Sequence, residues 1–173
     1  IFSNKNVEKW KITIVDTGLN TSTGGRLKRV HNLIEDDPFF FTYGDGLADI
    51  NLSELNKFHF SHNCDATITA VSPKERFGVI RLNEDNMVEG FEEKPHNEDY
   101  WINGGFFVLN PNIINSIDGD NTSWENEPIK KLIECKNLAA YKHKGFWHPM
   151  DTLRDKNHLN DLYQKGKAPW IKW

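Results

Sequence analysis

Two aspartates, Asp45 and Asp151, each close an apolar run at a turn marked by glycine or proline. The first ends Phe39-Phe40-Phe41-Thr42-Tyr43-Gly44-Asp45-Gly46, and the second ends Gly145-Phe146-Trp147-His148-Pro149-Met150-Asp151. In an open α/β sheet, ligands collect beyond the carboxyl ends of strands, where loops carry polar groups that a core cannot hold. Two carboxylates brought together there suffice for Mg²⁺, which fills its oxygen shell with water and substrate phosphates. Gly44 and Gly46 remove Cβ bulk, so a polyphosphate could approach the backbone closely. Spacing alone leaves a second reading open, since turn aspartates commonly cap helices or bond their own backbone.

Three further stretches carry usable chemistry. Lys94 follows Glu92 and Glu93 and precedes Pro95, which ends any helix there. Its ammonium could face a phosphate while Glu93 accepts from sugar hydroxyls, or the run could be a solvated surface. Asn103-Gly104-Gly105 offers an amide and exposed backbone before an apolar strand, the makings of a ligand loop or of a plain tight turn. Thr21-Ser22-Thr23-Gly24-Gly25-Arg26 opens a helix, so its N–H groups could receive an anion or a base edge, although the full phosphate-loop spacing is lacking. The Arg26, Lys28, Arg29 cluster reads equally as an exposed helical face. None of the seven histidines has a metal-ligand spacing with a neighbour, and His148 beside Trp147 suits packing or acid–base work alike. Serine and cysteine nucleophile signatures are absent, which disfavours hydrolysis through a covalent intermediate.

The elements that must position these residues follow from periodicity. Residues 10–16 alternate and predict a strand, and a helix is predicted over 26–34 with Leu27, Val30, Leu33 and Ile34 on one face. The run at 39–43 reads as a buried strand. A helix follows to about residue 62, with Leu52, Leu55 and Phe58 inward, and then a β-branched strand at 66–71. After Pro73 the pattern changes to a hairpin over 78–91. A buried strand is predicted at 106–109, short helices at 113–117 and 124–134, a strand at 138–143 and an amphipathic helix at 153–163. Ser123 is the expected cap of the second short helix, and Leu132 and Ile133 its inner face. The alternation of strands and helices indicates an α/β fold with a largely parallel sheet.

A chain of 173 residues with 38% hydrophobic and 27% charged residues suits a single globular domain. Its net charge of -4 supplies no general field for nucleic acid. Cys64 and Cys135 form no CxxC pair and read as free thiols in a reducing compartment. No signal peptide and no apolar stretch of spanning length is visible, so a cytoplasmic protein without a membrane partner is expected. Ile1-Phe2-Ser3-Asn4 offers no initiator Met, which suggests a domain, residues 1–173, that is incomplete at its N-terminus.

Taken in order, Thr-Gly-Gly-Arg-Leu-Lys-Arg-Val (23–30), Thr-Tyr-Gly-Asp-Gly (42–46), Arg-Phe-Gly (76–78) and Glu-Lys-Pro (93–95) resemble the glucose-1-phosphate cytidylyltransferase family of sugar nucleotidyltransferases. So do Ile-Asn-Gly-Gly-Phe-Phe-Val-Leu-Asn-Pro (102–111), Gly-Phe-Trp (145–147), Pro-Met-Asp-Thr-Leu-Arg-Asp-Lys (149–156) and Gly-Lys-Ala-Pro-Trp (166–170). The resemblance implies a Rossmann-like nucleotidyltransferase fold, and a homo-oligomer that makes CDP-glucose and pyrophosphate from CTP and α-D-glucose 1-phosphate with Mg²⁺. Such chemistry serves nucleotide-sugar and O-antigen precursor synthesis. By the same resemblance Asp45 and Asp151 are the metal ligands, and Thr21 and Arg26 hold the cytidine part, with Gly44 beside the metal ligand. Lys94 faces the sugar phosphate, and Gly78, Glu93, Asn103 and Gly104 line the sugar pocket. Family members open with a strand and a Gly-rich triphosphate loop that this sequence does not show, so the chain by itself is expected to be inactive. Two other readings stay open: a non-catalytic module that binds a sugar phosphate or assembles, and a nucleotidyl- or glycosyltransferase of other specificity.

Overall fold

The computed structural model describes residues 10–73, 79–92 and 100–172. In chain order the elements are α1 (Thr23–Arg29), β1 (Phe39–Thr42), β2 (Gly46–Ala48), α2 (Leu52–Phe60), β3 (Ala66–Val71), β4 (Val79–Leu82) and β5 (Val88–Glu92). They continue as β6 (Ile102–Leu109), α3 (Glu127–Glu134), β7 (Leu138–His143), β8 (Trp147–Pro149) and α4 (Leu153–Gln164), with 3₁₀ turns at His31–Leu33 and Pro111–Ser116.

The β-branched run of β3 and the aromatic run of β6 are buried along most of their length and form the middle of a four-stranded sheet ordered β1-β6-β3-β7. β6 is antiparallel to both β1 and β3, whereas β3 and β7 are parallel. Three strands therefore share one direction, and the expected largely parallel sheet is a mixed one because β6 enters reversed between β1 and β3. Two separate ribbons, β2 with β8 and β4 with β5, are antiparallel.

The core gathers Leu27, Ala66, Phe107, Leu109, Ile113, Ile117, Trp124 and Leu132, with Phe39, Phe41 and Tyr43 packed against it. Trp124 is fully buried, with ring centroids 5.9 Å from Phe41 and 5.8 Å from Phe107, both edge-on. Burying so large a ring anchors the 123–125 segment on the sheet. That anchor carries Glu125 to the end of β1.

Several expectations change. Residues 10–16 form no ladder among the described residues, and Ile12 and Ile14 are 73% and 92% exposed. An alternating sequence becomes a strand only where a neighbour takes its N–H and C=O groups. The helix expected over 26–34 begins at Thr23 and gives way to a 3₁₀ turn. Among the described residues β1 is an edge strand rather than a wholly buried one: Phe39 and Phe41 face the core while Phe40 stays 50% exposed. α2 is capped by Asn51, whose Oδ1 accepts from Ser53 and Glu54 N–H at 3.1 and 3.2 Å. It buries Leu55 and His59, not Leu52. α3 starts only at Glu127, because Trp124 is drawn into the core and the Ser123 hydroxyl donates to Glu125 instead of capping, and Ile133 is exposed. Both cysteines are free, and among the described residues no helix is long and apolar enough to cross a membrane.

Candidate active site

The β2–β8 ribbon joins two turns about a hundred residues apart in sequence. Its register sets Gly46 opposite Pro149 and Ala48 opposite Trp147. Met150 N–H then donates to the Asp45 carbonyl at 2.7 Å, so Asp45 and Asp151 fall within one residue of each other across the ribbon. Trp147 Nε1–H donates to the Gly104 carbonyl at 2.8 Å, pinning the ribbon to the start of β6. Immediately after Asp151, Thr152 and Asp155 form a reciprocal capping box that opens α4. The Asp155 carboxylate also lies 3.2 Å from His148 Nε2 on the ribbon. Asp45 and Asp151 are both exposed, and neither carboxylate is engaged in a hydrogen bond or ion pair among the described residues. Two uncommitted carboxylates on facing strand ends are a donor set that fits a hard, oxygen-seeking cation. No larger cage of His, Cys, Asp and Glu exists among the described residues, so a bound phosphate and water would complete the shell.

Beside this pair, β1 runs into the turn through Tyr43, whose N–H donates to Gly105 C=O at 3.0 Å. Gly105 has φ +76°, and a Cβ there would stand 2.7 Å from Tyr43 Cδ2, so this glycine admits the tyrosine ring. Tyr43 donates its hydroxyl proton to Glu125 Oε1 at 2.5 Å and accepts from Asn103 Nδ2 at 3.2 Å. Glu125 Oε2 accepts from Thr23 at 2.7 Å and from Ser123 at 2.6 Å. Burial pushes the Glu125 carboxyl upward, but the hydrogen bonds from Ser123, Tyr43 and Thr23 outweigh it and hold the group below its ordinary range. Burial and the bond to Glu125 drive the Tyr43 phenol well above its ordinary value. The pair is therefore a neutral phenol on a carboxylate, a charge-assisted hydrogen bond.

A cleft of about 560 Å³ opens over this end of the sheet. Leu27, Val30 and Phe41 give it an apolar wall, and Thr17, Thr23, Arg26, Gly44, Asp45 and Glu125 supply polar groups. Arg26 reaches into its edge while donating to Thr17 Oγ1 at 2.7 Å and to Leu19 C=O at 3.3 Å. The N–H groups of the Gly-rich loop are partly committed elsewhere: Ser22 N–H donates to Asp120 C=O at 2.8 Å and Gly25 N–H to Thr122 C=O at 3.1 Å. Two of the donors expected to receive an anion are thus used to hold the 118–122 loop, and Gly24 and Gly25 serve close packing against it.

The structure brings Arg26, Gly44, Asp45, Asn103, Gly104 and Asp151 to one end of the sheet. Thr21 is buried and does not line the cleft, whereas Thr17 and Thr23 on either side of it do. Asn103 and Gly104 already carry structural bonds, to Tyr43, Gly105 and Trp147. Gly78, Glu93 and Lys94 lie outside the described residues. Glu125 is missed by sequence reasoning. Ser123-Trp124-Glu125 has no chemical signature, and only the burial of Trp124 reveals where its neighbour must go.

A fold of this kind, with its carboxylates on facing strand ends, is that of a nucleotide-transferring enzyme family: the nucleotidyl transferase model matches residues 4–159, and the chain belongs to that family. It is 51% identical over 171 residues to the glucose-1-phosphate cytidylyltransferase of Salmonella typhimurium, covering 98% of this chain and 66% of that protein. The chain thus spans about two thirds of that relative's length. It is 34% identical over 145 residues to the mannose-1-phosphate guanyltransferase of Saccharomyces cerevisiae, covering 80% of this chain and 40% of that one. Among solved structures it superposes on HddC from Yersinia pseudotuberculosis with a TM-score of 0.59 at 22% identity, over 84% of this chain and 64% of that one, a likeness of fold.

Proposed function

We propose that this chain provides the metal and sugar-phosphate side of a cytidylyltransferase that converts CTP and α-D-glucose 1-phosphate into CDP-glucose and pyrophosphate. The observation that carries the reading is the ribbon register that brings Asp45 within one residue of Asp151, in a chain 51% identical to a glucose-1-phosphate cytidylyltransferase. In the reaction a phosphate oxygen of the sugar phosphate attacks the α-phosphorus of CTP, and the bond to the pyrophosphate oxygen breaks on the opposite side. No group of the protein need become covalently attached, so positioning and charge neutralisation carry the rate. Asp45 and Asp151 are the residues that would hold Mg²⁺, whose chemistry there is to offset charge on the phosphate oxygens. Arg26 and the threonines at the cleft edge face the nucleoside, with Thr21 and Gly44 shaping that side. Asn103, Gly104, Gly78 and Glu93 form the sugar side, and Lys94 reduces repulsion between the two anionic substrates. A cytoplasmic homo-oligomer acting in nucleotide-sugar synthesis is part of the same proposal. The guanyltransferase relative favours one second reading, the same chemistry with another base.

Mn²⁺ serves as a spectroscopic stand-in for the metal. Asp45→Asn and Asp151→Asn should each weaken Mn²⁺ binding to the protein at least tenfold, read by electron paramagnetic resonance, while leaving the circular dichroism spectrum unchanged. Equal Mn²⁺ affinity in both variants overturns the metal site. Product analysis with each nucleoside triphosphate in turn, in the presence of glucose 1-phosphate, decides between the two base readings.

A further inference from the structure

Glu125 belongs to none of the sequence motifs, yet its carboxylate organises three hydroxyls and one amide. A carboxylate only accepts, so Tyr43 must direct its single proton to Glu125 Oε1. What Tyr43 Oη then offers Asn103 is a lone pair, and Asn103 must meet it with Nδ2, at 3.2 Å. The amide oxygen of Asn103 is thereby turned to Gly105 N–H, which donates to it at 2.8 Å. Among the described residues, one Nδ2 proton of Asn103 is left over. Glu125 at one end and Gly105 N–H at the other together set the polarity of the chain, from Asn103 N–H to Tyr43 O–H to carboxylate. Without Glu125, the Tyr43 proton could turn away from this line, and Gly105 N–H alone would hold the amide's sense.

We propose that Glu125 and Tyr43 are positioning residues that hold the Asn103 amide as a hydrogen-bond donor toward an oxygen of the sugar phosphate. The ligand in this statement rests on the sugar-side reading of Asn103 above. Selection follows from it: the remaining N–H prefers an acceptor such as a hydroxyl or phosphate oxygen over a donor. Tyr43→Phe is the informative change, because it removes the hydroxyl while the ring keeps its contacts with Phe41 and Phe107.

Isothermal titration of the protein with α-D-glucose 1-phosphate and, separately, CTP, both with Mg²⁺, tests the proposal. Tyr43→Phe should weaken sugar-phosphate binding about tenfold, the scale of one hydrogen bond, and by more than any loss of CTP binding. In an Asn103→Ala background the same change should cost nothing further, because the residue it positions is gone. Undiminished sugar-phosphate binding by Tyr43→Phe, or losses that simply add, overturn the proposal. The ligand-free protein gives an independent readout: the ¹⁵N and ¹H resonances of the Asn103 side-chain amide should shift in Tyr43→Phe and in Glu125→Gln. Unmoved amide resonances defeat the positioning role, whereas moved resonances with no sugar-phosphate binding by the wild type defeat the sugar reading alone.

Discussion

Gly25 and Gly44 show how differently two glycines of one site are used. A Cβ on Gly25 would meet Asp120 O at 2.5 Å and Asp120 Cα at 2.6 Å, and backbone cannot yield as a side-chain tip can. Gly44 has nothing within 4 Å. Gly25→Ala should therefore cost about 1–3 kcal/mol, the usual penalty of overpacking, seen as a lowered midpoint in thermal or urea denaturation. Gly44→Ala should leave that midpoint nearly unchanged. A neutral Gly25→Ala would mean that α1 and the 118–122 loop do not pack as described. The motif Gly24-Gly25 was legible as a special position, but sequence pattern speaks of a permissive backbone and not of what approaches it. The end-of-run positions of Asp45 and Asp151 were legible, but spacing alone left plain turn aspartates as an equal reading, and their adjacency shows only in the β2–β8 register. Glu125 was not, since its importance comes wholly from partners distant in sequence.

Elements read from strong periodicity agree closely with the structure: β3, β7, the β4–β5 hairpin and α4 lie where alternation or helical spacing put them. The three-residue strands β2 and β8 escaped because three residues cannot show a period, and their pairing is a tertiary event. At the far end of the sheet, α2, β3 and β6 are joined by a directional hydrogen-bond chain. Cys64 N–H donates to His62 Nδ1 at 3.2 Å, and His62 Nε2 lies 3.0 Å from Thr67 Oγ1, which is 2.9 Å from His59 Nδ1. His59 Nε2 reaches Asn110 Oδ1 at 3.1 Å, and Asn110 Nδ2 donates to Asp65 at 2.9 Å. With His62 Nδ1 accepting, each bond of this chain can have one donor and one acceptor. A proton on His62 Nδ1 would face the Cys64 N–H, donor against donor. Burial, together with the neighbouring His59, accordingly lowers the His62 pKa. A depressed imidazole pKa means that the unfolded chain binds more protons, so stability is complete above about pH 6.5 and declines as pH falls through that value. The denaturation midpoint measured from pH 7.5 to 5 should fall for the wild type and fall less steeply for His62→Gln. Parallel curves would remove His62 from the account.

At the scale of the whole molecule, support is uneven. β3 is hydrogen-bonded on both sides, by β6 and β7, and its residues are among the most buried in the chain. Among the described residues the β4–β5 ribbon pairs only with itself, and Ile80, Leu82, Val88 and Phe91 are 54%, 52%, 61% and 64% exposed. A two-stranded ribbon without a covering layer is marginal in water. In native-state hydrogen exchange by mass spectrometry, peptides from β3 and β6 should be the slowest, and those from β4 and β5 should exchange orders of magnitude sooner. Equal protection would show that the ribbon's apolar face is covered in solution. The class of fold was legible because strands and helices alternate, but the reversal of β6 was not, since direction is set by the loops before and after it.

The β2–β8 ribbon has a kinetic consequence. Its two halves come from turns about a hundred residues apart, so Asp45 is synthesised long before Asp151, and bringing them together requires closing a long loop. Pairings of such high sequence separation form late, after the local contacts that shorten the effective loop. The cation site proposed for this ribbon would then be absent from early compact states and appear only as the last strands dock. Metal uptake during refolding would thus serve as a clock for completion of the fold, lagging the recovery of secondary structure.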